Sequence, residues 1–186
     1  MNDSAKVSTG KPKITGAIYY APEGTSLPTD ATSELTGFTN LGYVSEDGVT
    51  NANSITSENI KAWGGDIVNT SQTEKTDTFQ LMLIQSIDIN VLKAIYGDTN
   101  VSGSLASGIT VKANAKEIPA ASWAIDMILN ENTLKRIVIP RGKISELGDI
   151  VYKDDEAIGY QPTINALPDS AGNTHYEYIQ QSTVSA

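Results

Sequence analysis

Side chains able to do acid–base or covalent chemistry are scarce in this sequence and poorly spaced for it. His175 is the single histidine, and cysteine is absent. His175 sits in the run His175-Tyr176-Glu177-Tyr178-Ile179. With no second His and no nearby nucleophile signature, a triad lacks both its nucleophile and its orienter. His175 therefore reads as a solvent-facing strand residue beside a turn. Asp154-Asp155-Glu156 places three carboxylates in a row. A calcium loop needs oxygen ligands at alternating positions and a turn glycine, so this run reads instead as a charged hairpin tip that discourages edge-to-edge pairing. Ser71 and Lys75 do not have Ser-x-x-Lys spacing. The glycines near 64–65 and 103–108 precede neither Lys-Ser/Thr nor a long helix, so neither a P-loop nor a dinucleotide fingerprint is present.

The composition excludes further classes. Without thiols there is no disulfide framework, cysteine-type zinc site, iron–sulfur cluster or thiolate nucleophile. No metal or other cofactor is expected. Thirteen Lys+Arg against 22 Asp+Glu over 186 residues give a net charge of −9, a poor match to phosphate backbones. No apolar run approaches the roughly 20 residues of a membrane helix, and the N-terminus lacks an apolar segment of signal-peptide type. Apolar residues are 39% and charged residues 19%. Ser, Thr, Asn and Gly fill the remainder, as in a turn-rich β protein.

The elements that would position these residues are mostly short strands. Residues 1–12 read as a flexible arm ahead of one domain, 13–186. Strand candidates are Ala17-Ile18-Tyr19-Tyr20, 38–44, 79–85, 109–113, 122–129, 134–140, 150–152, 157–166 and 174–180. The segment 45–76 is nearly all polar and reads as a long hairpin or extended loop around Gly64-Gly65, a length that compact domains reserve for interaction. One helix is expected over 89–96. Ile89, Leu92 and Tyr96 share a face, Asp88 or Asn90 caps it, and Gly97 ends it. Trp63 and Trp123 read as packing anchors, the latter opening an alternating run with Ile125, Met127 and Leu129. The bases Lys135, Arg136, Arg141 and Lys143 precede an acid-rich C-terminal stretch containing Asp154, Asp155 and Glu156. The two signs offset one another within the domain or form complementary faces for self-association. The fold class is mainly β: a sandwich or barrel of about eight strands with one short flanking helix.

In order along the chain, Gly42-Tyr43-Val44-Ser45-Glu46-Asp47-Gly48-Val49, Lys61-Ala62-Trp63-Gly64-Gly65, Asp155-Glu156-Ala157-Ile158-Gly159-Tyr160 and Gly172-Asn173-Thr174-His175-Tyr176 resemble the major tail tube proteins of long, flexible-tailed bacteriophages and prophages. The resemblance spans roughly 15–180. It implies a non-enzymatic structural subunit that forms hexameric rings, whose strands join a lumenal barrel and whose rings stack into a negatively lined conduit for DNA. It implies ring–ring contacts by 1–12 and by the long loop, with Asp47, Asn51, Asn53, Glu58, Lys61, Trp63, Asp66 and Glu74 as candidates. The implied partners are further copies of the chain and the tape-measure, initiator or distal-tail, and terminator proteins. The implied location is the virion tail, after assembly in the host bacterial cytoplasm. Two alternatives stand beside it: the tube protein of a contractile injection or secretion machine, and a carbohydrate-binding adhesin domain with clustered exposed aromatics. A hydrolase has the least support.

Overall fold

A computed structural model describes residues 2–130 and 132–181. Its strands are β1 (Gly10–Pro12), β2 (Ile18–Pro22), β3 (Thr39–Asn40), β4 (Val44–Lys61) and β5 (Ile67–Leu83). After the helix α1 (Ile89–Tyr96) come β6 (Val101–Ser104), β7 (Gly108–Val111), β8 (Ala121–Leu129), β9 (Thr133–Leu147), β10 (Pro162–Leu167) and β11 (Tyr176–Gln181). The fold is mainly β with one α-helix, as expected. Strands β6 and β7 form a separate hairpin; the others make one antiparallel sheet in the order β3-β2-β8-β9-β10-β5-β4, with β1 beside β8 and β11 beside β9.

The long β9 changes partner along its length. Its first half, through Val138, pairs with β11, and from Arg141 onward it pairs with β10. The main core lies on one side of this sheet, where period-two alternation in β5 and β10 aims Phe79, Leu81, Leu83, Ile164 and Ala166 inward against Trp123, Ile125 and Ile139. Trp123 lies over Gly142, where an added Cβ would meet the indole Cδ1 at 2.5 Å. Helix α1 matches its expected range; Asp88 accepts a hydrogen bond from the Asn90 amide at 2.8 Å, and Val91, Leu92, Ala94 and Ile95 enter the core.

On the opposite side, β8 and the first half of β9 are also covered. Ser122, Ala124, Asp126, Arg136 and Val138 are buried there. Segment 23–38 closes over them, tied down by Arg136, which donates to the Asp30 and Ser33 carbonyls at 3.1 and 2.8 Å.

Several local expectations change. The strand expected over 38–44 is interrupted, because Gly42 takes a φ of +76° and the Gln85 amide occupies the space its side chain would need. Residues 150–152 form no strand; they run unpaired in the connection from β9 to β10, with Val151 and Tyr152 exposed. The last residues of the 1–12 arm are β1, paired to Met127, Ile128 and Leu129. Of the two readings for 45–76, the structure has the long hairpin, two strands and a turn, and not the extended loop.

Candidate functional site

The feature that dominates the surface is the β4–β5 hairpin. The pairing runs from Val44↔Leu83 to Lys61↔Ile67, with register shifts after Val44, Thr56 and Ile60. β10 reaches β5 only at Thr78 to Gln80, so the remaining ribbon leaves the body as a free two-stranded projection. Nine residues of β4, 53–61, at a strand rise near 3.3 Å extend it about 30 Å. Every residue from 51 to 76 is exposed. A two-stranded ribbon in water is marginal on its own, yet this one carries Ile55, Ile60, Ile67 and Val68 uncovered, with Trp63 fully exposed in the closing turn. Trp63 is therefore not a packing anchor among the described residues: its side chain is fully exposed, whereas Trp123 is buried.

The structure brings Asn53, Glu58, Lys61, Trp63, Asp66 and Glu74 onto this one projection. Asp66 lies in the turn, its carbonyl accepting from the Ala62 amide at 2.7 Å. Asp47 stands apart, at the register shift where β4 begins. Asn51 sits at the root. Among the described residues no ion pair involves Lys61, Glu58, Asp66 or Glu74.

The root is a cluster that the sequence conceals. Asp77 is completely buried and accepts from Asn51 Nδ2 at 2.8 Å through Oδ1. Its Oδ2 accepts from Thr174 Oγ1 at 2.5 Å and lies 2.5 Å from His175 Nδ1. Phe79 packs edge-on against the His175 ring, and Glu177 stands 4.0 Å from the far ring nitrogen. Burial alone would raise the Asp77 pKa, but the hydrogen bonds from Thr174, Asn51 and His175 outweigh it and hold the carboxyl below its ordinary value. His175 is thus not solvent-facing: its side chain is 14% exposed, enclosed by the hairpin root. One signal for the cluster is present in the sequence, since Asp77 keeps period with Phe79, Leu81 and Leu83 and so occupies a core-facing position.

The root joins β4, β5 and the two residues ahead of β11, and the Thr174 hydroxyl within it donates to the Asp77 carboxylate. Two surface clefts, one from Ser45 to Thr50 and one around Tyr96 and Pro119, do not include His175. Among the described residues no three acidic or histidine side chains are grouped to hold a metal ion. What the arrangement does is orient a long, exposed ribbon on a rigid body.

A family profile described as phage tail tube protein matches residues 1–186. The chain belongs to the phage tail tube protein family. No curated protein matches it. As a member of that family it is a structural subunit of the tail tube, a virion tail component that self-assembles and meets other tail proteins. Among the described residues no helix is long and apolar enough to cross a membrane.

In this tail tube subunit the four clustered bases are consumed within the chain. Arg136, 1% exposed, forms a two-pronged pair with Asp126 at 2.6 and 2.8 Å. Lys135 meets Glu177 at 2.9 Å, Arg141 meets Glu23 at 2.6 Å, and Lys143 pairs with Glu117. Asp154, Asp155 and Glu156 lie exposed in the wide connection from β9 to β10 rather than at a tight hairpin tip, and Glu156 binds Lys153 at 2.9 Å. Among the described residues no ion pair joins these acids to the four bases. The unpaired charges of the subunit are thus mostly acids, including Glu46, Asp47, Glu146 and Asp149.

Proposed function

We propose that six copies of this subunit close into a ring, that rings stack into a hollow tube, and that the tube conducts the phage genome during ejection. The observation that carries this reading is the β4–β5 projection. An ordered ribbon with five large apolar side chains in water is a docking element that lacks its partner. Seated on the next ring, it would bury Ile55, Ile60, Trp63, Ile67 and Val68, with Asn53, Glu58, Lys61, Asp66 and Glu74 around them. Ring closure is supported by strand edges. Among the described residues β1 pairs only with β8 and β11 only with β9, so the ribbon β1-β8-β9-β11 presents two edges able to pair with neighbours. The excess of unpaired acids suits a conduit that must not hold DNA. The finer partners in this reading are the tape-measure, initiator and terminator proteins, with assembly in the host cytoplasm.

Electron microscopy of the purified chain, concentrated or mixed with tail initiator proteins, tests it. Rings or tubes around a central channel are expected; monodisperse subunits under every such condition would overturn it. Replacing 53–75 by a short Asn-Gly turn keeps Asn51 and Asp77 and separates folding from assembly. The shortened chain should unfold cooperatively and no longer stack. Loss of the fold would place the ribbon in the core instead.

A further inference from the structure

One sheet face of the subunit is left bare, and its chemistry is unusual for an acidic protein. Where β9, β10, β5 and β4 lie side by side, the core takes the side chains of Ile144, Ile164, Phe79 and Leu81. The other face has no cover. Segment 23–38 shields only β8 and the first half of β9, and its coverage stops at the Arg141–Glu23 pair. The register places Thr50, Gln80, Thr163 and Glu146 in one row across the bare face, and Ala52, Thr78, Asn165 and Lys143 in the next. Apart from Ala52, Glu146 and Lys143 these are hydroxyls and amides: Gln80 Nε2 donates to Thr163 Oγ1, and Thr78 Oγ1 to the Ala52 carbonyl, each at 3.5 Å. The cation in the second row, Lys143 opposite Asn165, is neutralised by Glu117.

The same register carries the strip onto the projection, where Ser54 faces Thr76 and Thr56 faces Glu74. A face built this way does not suit a subunit interface, whose buried centre favours aromatic and apolar anchors. Nor does it suit a phosphate-binding surface, which needs free Lys or Arg. It suits contact with water, along a direction that continues from the body onto the element that bridges rings.

We propose that this bare face of β9, β10, β5 and β4 is the wall of the tube's channel, an inference that rests on the ring-and-conduit reading above. The wall is then a mostly hydroxyl and amide lining whose cations, Lys143 and Arg141, are already paired with Glu117 and Glu23. A passing DNA duplex finds no free positive charge on it and meets carboxylates at Glu146 and, on the projection, at Glu74.

The absence of cysteine makes a direct test clean. Thr163→Cys and Gln80→Cys chains are assembled into tubes and treated with N-ethylmaleimide or with a polyethylene-glycol maleimide larger than the subunit. In isolated subunits both reagents should react. In tubes the small reagent should still react, while labelling by the large one falls by about an order of magnitude. Equal reaction of both reagents in tubes would put this face outside the tube, and protection from both would put it in a subunit interface; either overturns the proposal. Failure of both variants to assemble where the unmodified chain does would also overturn it, because a thiol facing channel water does not block assembly. Absence of tubes from the unmodified chain would instead count against the ring-and-conduit reading.

Discussion

Arg136 and Asp77 are both buried charges, and they hold different things in place. Arg136 spends two of its nitrogens on Asp126 and the third on the Asp30 and Ser33 carbonyls, which fastens segment 23–38 across β8 and β9. Removing one partner of such a pair strands a charge away from water, at a cost of about 3–5 kcal/mol. Asp126→Ala should therefore lower the urea midpoint of the isolated subunit by that amount of stability without altering the slope. Asp77 fixes the hairpin root, and its pKa lies below the ordinary value despite burial. A depressed carboxylate stabilises the fold fully above its unfolded pKa, about 3.9, and that contribution is lost as pH falls through the lower folded value. Asp30, Glu117 and Asp169 are depressed in the same direction, so the unmodified chain loses stability to acid from several sites. Asp77→Asn should flatten the pH dependence of the urea midpoint below about pH 4, leaving the share of the other three. An unchanged acid limb in this variant would mean that Asp77 is not ionised in the fold.

At the scale of elements, what the sequence revealed and what it hid follow from where each element finds its partners. Helix α1 was legible because Ile89, Leu92 and Tyr96 share a face and Asp88 and Gly97 mark its ends within ten residues. β5 and β10 were legible where one side meets the core. The projecting ribbon was not clearly legible as strand, since Asn, Ser and Thr that bury nothing show no period. His175 read as a surface residue because its partner Asp77 is 98 residues away, and Arg136 as a surface cation because Ser33 is 103 away. Trp63 read as an anchor because a large aromatic usually is one within its own chain; here it stands fully exposed, and in the proposed assembly it meets another copy. Trp63→Ser should change the stability of the isolated subunit by less than about 0.5 kcal/mol, as for other surface replacements, while sharply reducing tube yield by microscopy. A large loss of stability would mean that the turn packs on its own subunit.

For the whole molecule the charge balance sets how assembly responds to salt. Each chain carries −9, and among the described residues the acids without an ion pair outnumber the bases without one, Lys11, Lys61, Lys75, Lys112 and Lys116. In the proposed ring, six copies would bring together about −54, so stacking would work against repulsion that the apolar ribbon must overcome. Screening shortens the reach of that repulsion from about 30 Å at 0.01 M salt to about 8 Å at 0.15 M. Tube formation followed by light scattering should therefore speed up as sodium chloride rises across this range and level off beyond it. Glu58, Asp66 and Glu74 carry unpaired charge on the projection itself. Neutralising them as Glu58→Gln, Asp66→Asn and Glu74→Gln should shift the rise to lower salt if they face like charge on the next ring. Should tube formation instead slow with salt, and slow further in the triple variant, the ribbon would be held by ion pairs reaching Lys61 or Lys75 across rings, and its exposed isoleucines and Trp63 would be secondary to charge in joining them.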